Sequence, residues 1–422
     1  MPFRLSVVTR EIDPVEDLLA YADPTTPLAW LRRGDGIVAV GAGMQTHLRI
    51  AGGFDEPHAA IMSSGWQQIA AQADIDDPVG LPGTGLVAFS TLVFDDASAA
   101  ASVLIVPSAI IGRAQGRSWI TTIRGNDDVP DAIAEPREYG PHWAGTLGPG
   151  AQTAQGYEDS VRAGLDAIAA GEVSKVVLAR DLTGTVPEGA DLRRLVRALS
   201  SEYPDTWAFA VDGLMGASPE TLVTAQNGTV TARVLAGTTA RGADADADVA
   251  ASAALASSEK DLDEHQYAVQ SVLTELRPHT RALASSEQPF LLKLPNLFHL
   301  ATDVEGELSD GATSLDLVGA LHPTAAVAGS PTPAAIAAIR RLEPFDRERY
   351  AGPVGWVDAA GNGEWAIALR CAQFERGHVR GTGSGPIAVT AYAGAGIVTG
   401  SDPESELLET RVKFRPIVDA LA

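Results

Sequence analysis

A stretch near the C-terminus, residues 392–413, constrains the fold of this chain more than any other segment. Its first part, residues 392–398, is an apolar run with two glycines, a pattern typical of a strand end that another group approaches closely. Asp402 and Pro403 then predict a helix start, because aspartate is a favoured N-cap and proline is favoured at the first helical position. The stretch therefore predicts a strand followed closely by a capped helix.

The predicted helix carries two carboxylates on one face. Glu406 and Glu409 lie three residues apart and Lys413 lies four residues further on, so a helix places the three side chains on one stripe. The helix dipole also favours acidic residues in the first turns, so a solvated helix surface explains this pair equally well. Taken alone, the pair leaves a solvated surface and a functional site open.

A second helix offers a matching pair. Residues 257–277 predict a capped amphipathic helix in which Asp261 and Glu264 are again three residues apart. Mg²⁺ is usually held by one or two carboxylates together with water and substrate oxygens. The two pairs together are therefore a candidate magnesium site, which the spacing suggests without establishing it.

Composition and motifs exclude several kinds of protein. Of 422 residues, 45% are hydrophobic and 20% are charged, which is typical of a globular chain with a substantial core. The net charge of −23 and the lack of a basic patch argue against binding to nucleic acid or to an anionic membrane. The chain has no P-loop, no GxGxxG before a helix, no HExxH and no GxSxG, so it does not look like a nucleotide-binding enzyme, a zinc protease or a serine hydrolase.

The cysteine content and the N-terminus indicate a compartment. Cys371 is the only cysteine, so we expect neither a disulfide framework nor a thiolate metal site. The N-terminal residues lack the apolar run of a signal peptide, and no segment approaches 18 consecutive apolar residues. We therefore expect a cytoplasmic protein without a membrane partner.

Candidate chemistry lies in the second part of the chain. Residues 1–150 show short alternating patterns that predict scaffold strands, whereas residues 151–422 carry every candidate site. The turn-rich segment 124–153 predicts a long surface connection, a natural place for a mobile loop. Residues 350–374 predict a hairpin with its turn at 358–363 and with Arg370 well inside the second strand.

Several side chains in residues 151–422 can be interpreted in two ways. Lys175, at the entrance of a predicted buried strand, is either an edge residue whose amine reaches water or a lysine partly withdrawn from water that can act as a base. Gly237 and Thr238 predict a turn that contacts an anion. A lone His299 is more typical of a structural histidine than of a catalyst. The guanidinium of Arg370 is expected to face a carboxylate of the protein or of a substrate.

Ten motifs occur in the order found in the chorismate-utilising enzymes, a family that includes isochorismate synthase, salicylate synthase, anthranilate synthase component I and aminodeoxychorismate synthase. They are KVVLAR (175–180), ASPETLV (217–223), LAGTTARG (235–242), SEKDLDEH (258–265), HLATDVEG (299–306), LHPTAAVAGSP (321–331), EPFDRERYAGPVGW (343–356), GEWAIALRCA (363–372), YAGAGIV (392–398) and ESELLETRVK (404–413). Within the family the chain most resembles isochorismate synthase. The resemblance implies one large α+β domain with two stacked antiparallel β-sheets, helices outside them and the site in a cleft.

The resemblance implies an acid and a base. Lys175 is expected to be the general base, which deprotonates a water that attacks C2 of chorismate. Glu220 is expected to be the general acid, which assists loss of the C4 hydroxyl from the opposite side of the ring. Ammonia-using members typically lack a lysine at this position, so Lys175 favours water as the nucleophile.

The resemblance also implies a Mg²⁺ site and a set of substrate contacts. The expected metal ligands, with Glu264 and Glu406 foremost, are Asp261, Glu264, Glu406 and Glu409. Asp261 stands where some relatives have glutamate, which is consistent with a water-mediated contact. The expected substrate contacts are Gly237, Thr238, His299, Ala326, Tyr350, Arg370, Gly394, Gly396 and Lys413.

Two functions other than isochorismate synthesis are open to a chain of this family. Salicylate synthases also expel pyruvate, but they and the aminating members usually carry threonine where this chain has Ala326. A catalytically inactive chorismate-binding regulatory subunit is the second alternative, and retention of Lys175, Glu220 and the four carboxylates argues against it. The chain has no glutaminase domain and no coiled-coil pattern, so we expect a monomer without a glutaminase subunit. Its product would serve menaquinone or catechol siderophore synthesis.

Overall fold

The computed structural model describes residues 4–125, 135–293, 297–376 and 385–422, and the structural statements below concern these residues. The α-helices are α1 (His58–Gln72), α2 (Ala154–Ala169), α3 (Arg193–Glu202), α4 (Ala245–Ser257), α5 (Glu259–Leu276), α6 (Ser314–Leu321), α7 (Thr332–Leu342) and α8 (Pro403–Leu421), with 3₁₀ turns at Leu18–Tyr21 and Arg277–His279. None of these helices is long and apolar enough to cross a membrane.

Strands make up most of the remaining regular structure. They are β1 (Ser6–Ile12), β2 (Ala29–Arg32), β3 (Asp35–Ala39), β4 (Met44–Ala51), β5 (Asp74–Asp76), β6 (Val87–Thr91), β7 (Ala101–Pro107), β8 (Ala109–Ala114), β9 (Arg117–Arg124), β10 (Thr146–Pro149), β11 (Lys175–Val186), β12 (Trp207–Val211), β13 (Leu214–Ser218), β14 (Thr221–Gln226), β15 (Thr229–Ala240), β16 (Thr280–Ser285), β17 (Phe290–Lys293), β18 (Leu297–Leu308), β19 (Gly329–Ser330), β20 (Pro353–Asp358), β21 (Gly363–Ile367), β22 (Cys371–Arg376) and β23 (Ile387–Ile397).

The strands form two large sheets. The first has the order β10-β11-β23-β22-β13-β12-β2-β3-β8-β9-β1-β5, with β19 beside β11, and the second has the order β16-β18-β15-β14-β21-β20-β6-β7-β4, with β17 beside β18. Neighbouring described strands pair antiparallel, except for the parallel pair β1–β5. The predicted α+β fold with two antiparallel sheets is therefore confirmed.

Each sheet combines strands from residues 1–150 with strands from residues 151–422. In the first sheet β2 pairs with β12 through the register Trp30↔Phe209. In the second sheet β6 pairs with β20 through Phe89↔Trp356. The predicted scaffold strands are thus hydrogen-bonded directly to strands of the second part of the chain.

The main apolar core lies between the two sheets. Trp30 and Phe209 from the first sheet and Phe89 and Trp365 from the second are at most 1% exposed and belong to one buried cluster. The Trp30 indole N–H also donates to the Glu364 carboxylate across the sheets at 2.9 Å. Burying large aromatic side chains supplies much of the stabilisation of such a core.

The helix starts agree with their sequence signals. Asp402 is the N-cap of α8 and accepts a hydrogen bond from the Ser405 backbone N–H at 2.9 Å, with Pro403 at the first helical position. Ser258 caps α5 in the same way, accepting from the Asp261 N–H at 3.3 Å. Each cap satisfies a backbone donor that the helix leaves without a partner.

The prediction that Arg370 lies well inside a strand is wrong. The hairpin turn at 358–363 is present, but β21 ends at Ile367 and β22 begins at Cys371. Arg370 lies between them with a positive φ of 49°, a left-handed conformation that interrupts a strand. The chain crosses from the second sheet to the first at this point, and an alternating pattern of residues does not reveal such a crossing.

The predicted connection 124–153 is only partly described. Residues 126–134 lie outside the described ranges. The later part is tied to the fold, because the Trp143 indole N–H donates to the Asp191 carbonyl at 2.9 Å and β10 pairs with β11.

Candidate active site

Every side chain that the sequence singled out borders one cavity of about 340 Å³. The cavity lies where β11 and β23 of the first sheet face α5, α8 and the bulged part of β15. The residues around it include Lys175, Glu220, Gly237, Thr238, Asp261, Glu264, His299, Ala326, Tyr350, Arg370, Gly394, Gly396, Glu406, Glu409 and Lys413. The fold therefore brings together groups that are up to about half the chain apart.

Two glycines of β23 leave room beside β11. A Cβ atom on Gly396 would lie 3.1 Å from Cε of Lys175, and one on Gly394 would lie 2.7 Å from the Leu178 carbonyl oxygen. The second distance is shorter than any real Cβ contact, so a larger residue at 394 would push the strands apart. The predicted close approach to this glycine-rich strand is confirmed.

Lysines from β11 and α8 pair with the acidic residues of both helices. Lys175 Nζ lies 2.6 Å from the Glu264 carboxylate, and both side chains are partly buried. Lys413 Nζ lies 2.6 Å from the Glu409 carboxylate and also donates to the Gly394 carbonyl at 2.8 Å. The predicted stripe on α8 therefore faces the cavity and is not a solvated surface.

Glu220 lies where the chain passes from β13 in the first sheet to β14 in the second. Its backbone N–H donates to the Ser218 hydroxyl at 3.2 Å, and its carbonyl accepts from the Ile367 N–H at 3.0 Å. Burial raises the pKa of the Glu220 carboxyl to about 7, although Lys175 and Lys413 act in the opposite direction. A carboxyl with this pKa carries a proton at neutral pH for about half of the time and can serve as an acid.

Arg370 supplies a cation that the described protein leaves unpaired. Its guanidinium has no hydrogen-bond or ion-pair partner among the described residues, and burial lowers its pKa. Tyr350 lies on the same cavity and stacks on Tyr392 with ring centroids 5.2 Å apart. A guanidinium that is half-buried on a cavity and lacks a protein partner is suited to the carboxylate of a ligand.

The bulge of β15 carries the predicted anion-contacting turn. The pairing of β15 with β18 shifts register between Ala236 and Thr238, and Gly237 there has φ +77°. The Thr238 hydroxyl lies 2.8 Å from Nδ1 of His299. Burial, together with Lys413, lowers the pKa of His299 to about 4, so its imidazole is neutral at pH 7 and can share hydrogen bonds with a bound molecule.

The four expected metal ligands all border the cavity. Within the described ranges, no three histidine, cysteine or acidic side chains are grouped closely enough to enclose an ion. Burial raises the pKa of Glu406, whereas burial is outweighed at Glu409 by Lys413 and Arg370, which hold its pKa below the ordinary range. Mg²⁺ is usually held by carboxylates together with water or substrate oxygens, and two of the four expected ligands, Glu264 and Glu409, are paired with lysines in this structure.

Two residues that the sequence patterns do not reveal hold elements of the site in place. Arg347 donates to the carbonyls of Val177 at 2.7 Å and Val327 at 2.9 Å. It also forms a buried ion pair with Glu343. The sequence signal for this pair is the i, i+4 spacing of Glu343 and Arg347 in a segment with apolar neighbours.

His265 is the second such residue. It is 2% exposed, its Nδ1 lies 3.1 Å from the Ala236 carbonyl oxygen, and its Nε2 lies 2.7 Å from the Thr302 hydroxyl. These partners assign the proton to Nδ1, and burial lowers the pKa of the ring. His265 thus fastens α5 to β15 and β18 directly beside Glu264.

Comparison with known proteins agrees with this geometry. Residues 3–422 match the family described as chorismate binding enzyme. Isochorismate synthase DhbC of Bacillus subtilis (strain 168) is 42% identical over 277 residues, which cover 63% of this chain and 67% of that protein. Isochorismate synthase EntC of Escherichia coli (strain K12) is 38% identical over 253 residues, which cover 59% and 62%.

Solved structures share the fold over nearly the whole chain. MenF, the menaquinone-specific isochorismate synthase from Escherichia coli, superposes with a TM-score of 0.75 at 23% identity, covering 98% of this chain and 94% of that one. Anthranilate synthase component I from Streptococcus pneumoniae TIGR4 gives a TM-score of 0.66 at 20% identity, covering 99% and 93%. With a family match along its entire described length, this chain belongs to the chorismate binding enzymes.

Proposed function

We propose that this chain is an isochorismate synthase. It would convert chorismate to isochorismate by adding water at C2 and releasing the C4 hydroxyl as water. Support comes from the relatives named isochorismate synthase, DhbC at 42% identity foremost. The observation that carries the proposal is Glu220, a carboxyl with a pKa of about 7, on the same cavity as Lys175 and the unpaired Arg370.

The two proton transfers are assigned to two side chains. Lys175 accepts a proton from the attacking water as the new bond forms at C2. Glu220 donates a proton to the C4 oxygen as that bond breaks, and each ring double bond shifts by one position. Lys175 acts as a base only as the neutral amine, whose lone pair accepts the proton while an N–H can still donate to Glu264, 2.6 Å away.

Substrate binding uses the cations of the cavity. Chorismate is a dicarboxylate, and Arg370 with Tyr350 beside it suits the enolpyruvyl carboxylate, whereas Lys413 suits another carboxylate contact. Mg²⁺ held by Glu264 and Glu406 would neutralise the ring carboxylate. These positive groups offset the net charge of −23 for an anionic ligand. We further propose that the chain acts as a monomer without a glutaminase subunit.

The test is an incubation with chorismate, with and without Mg²⁺, in which products are separated by chromatography and pyruvate is assayed in parallel. Lys175→Ala serves as the control for contaminating activity. We expect isochorismate without pyruvate, and only with Mg²⁺. Salicylate with equal pyruvate would instead indicate a salicylate synthase. Tight chorismate binding without any product would indicate an inactive binding subunit.

A further inference from the structure

A second cavity lies behind Glu220. This cavity, called the rear cavity below, measures about 210 Å³ and shares Glu220, Leu235 and Ala326 with the active-site cavity. These three residues therefore form the partition between the two spaces. Glu220 is the titratable member of this partition.

The rear cavity reaches the protein surface. Its other walls come from α5, α6, the start of α7, β14, β15 and the segment 322–325. Ser271 and Glu275 of α5 border it and are exposed to solvent. The space therefore extends from Glu220 outward between α5 and α6.

The rear cavity has room for water. Its volume of about 210 Å³ accommodates several molecules. Glu220 borders its inner end, and Ser271 and Glu275 border its exposed end, so polar side chains are present at both ends. Nδ1 of His322 and Oγ1 of Thr324 have no protein partner, but they have almost no accessible surface and do not face this space.

The proposed reaction releases a water molecule and consumes a proton on the Glu220 side of the ring. The attacking water arrives on the face of Lys175, whereas a second water forms at C4 on the face of Glu220. After each turnover Glu220 has lost a proton and must regain one. Bound isochorismate occupies the active-site cavity, whereas the rear cavity gives Glu220 a second route to solvent.

We propose that the rear cavity is a water channel that drains the water released from C4 and returns a proton to Glu220 from solvent. The inference rests on the proposed function and adds to the site a separate exit for the water released from C4. The cycle balances as follows: the C4 oxygen leaves with its own hydrogen and the Glu220 proton, one proton then passes inward along the channel waters to the Glu220 carboxylate, and Lys175 releases to solvent the proton that it took from the attacking water.

Isotope exchange at chemical equilibrium tests the channel. Chorismate labelled with ¹⁸O at C4 loses its label only when the released water escapes, whereas carbon label passes between chorismate and isochorismate only when isochorismate itself is released. With an open rear channel, water escapes while isochorismate is still bound. The ¹⁸O loss is then faster than the carbon exchange in the native chain.

Blocking the channel should equalise the two rates. Ala320→Leu places bulk on α6 in the rear cavity and outside the active-site cavity, so the water must wait for isochorismate to leave. The ratio of ¹⁸O loss to carbon exchange then falls severalfold to about one. Ser271→Phe at the exposed mouth is a second blocking variant that does not depend on repacking α6. Ala337→Leu, exposed on α7 and outside both cavities, should keep the native ratio.

Two results would overturn the channel. One is a ratio of one in the native chain, which means that water leaves with or after isochorismate. The other is a native ratio that persists in both blocked variants, whatever happens to their overall rates. A ratio is independent of how much protein is folded. The experiment follows the product analysis above, so a chain that makes no isochorismate refutes the proposed function, and a failed ratio in an active chain refutes the channel alone.

Discussion

Single residues set the protonation states of this site. Burial raises the pKa of Glu220 to about 7, so the carboxyl is protonated below that pH and ionised above it. An acid catalyst is active when protonated, and activity that depends on Glu220 therefore falls as the pH rises above about 7. The cause is local, because the fold removes most bulk water from around this carboxyl.

Glu220→Gln tests the acid role. The amide keeps the shape of the side chain but has no acidic proton, so we expect kcat to fall by roughly 10²–10⁴-fold. The fall in kcat/KM above pH 7, which reports the pKa of the free enzyme, should also disappear from the remaining activity. The measurements are kcat and kcat/KM against pH for both chains. A variant with native kcat and an unchanged alkaline limb would exclude Glu220 as the acid.

The same variant should change the pH dependence of stability. The pKa of Glu220 is higher in the folded chain than its usual 4.5, so the folded state binds the proton more tightly. The free energy of unfolding therefore decreases as the pH rises from about 4.5 through 7, by at most about 3 kcal/mol. Glu220→Gln should unfold at a higher temperature than the native chain at pH 8 and at a similar temperature at pH 4.5, as measured by calorimetry.

Arg370 should act through substrate affinity. Lysine keeps the charge but lacks the planar fork, so Arg370→Lys should raise KM for chorismate by roughly 10–100-fold, in line with the loss of one charged hydrogen bond. Steady-state kinetics and direct titration with chorismate measure the effect. Arg411→Lys, exposed on α8, is the matched control. Equal KM values for the two variants would remove Arg370 from the substrate site.

Two connections, each leading from one sheet to the other, supply side chains to the site. Glu220 follows β13, and Arg370 lies between β21 and β22. The two crossings are tied together, because the Ala217 N–H donates to the Arg370 carbonyl at 3.1 Å and the Ile367 N–H donates to the Glu220 carbonyl. This element-scale link explains why one acid and one cation from distant segments share a cavity.

The position of α5 is set by His265. In His265→Ala the Ala236 carbonyl loses its donor and α5 is held less firmly, so we expect a higher Mg²⁺ concentration for half-maximal activity. The cost should be about 1–3 kcal/mol of stability. His265→Asn can still donate to Ala236 and should recover part of the Mg²⁺ response. Both are measured by Mg²⁺ titration of activity and by denaturant unfolding. An unchanged titration in His265→Ala would limit this residue to packing.

On the scale of the whole molecule, the two sheets stabilise each other through the core between them. Trp30 is 1% exposed and donates a hydrogen bond to Glu364 of the opposite sheet. Trp30→Ala should lower the free energy of unfolding by about 3–5 kcal/mol. Activity per folded molecule should remain, because Trp30 does not border the active-site cavity. Urea unfolding measures this change in stability. Tyr267→Ala, at a position 71% exposed, is the control.

The sequence by itself determined the local structure and the chemical character of the site. The caps at Asp402 and Ser258, the acidic pairs and the glycines of β23 follow from backbone geometry and short-range hydrogen bonds. Such signals lie within a few residues of each other, and the order of the motifs added the fold and the expected residues. All of these predicted site residues border one cavity.

Only the tertiary structure decided which groups became partners. The ion pair of Lys175 with Glu264, the support from Arg347 and His265, and the place of Arg370 at a crossing depend on contacts between distant segments. The pKa of Glu220 likewise depends on how much water the folded chain removes from around it. Burial and long-range pairing arise from packing of the whole chain, and local sequence patterns carry no record of them.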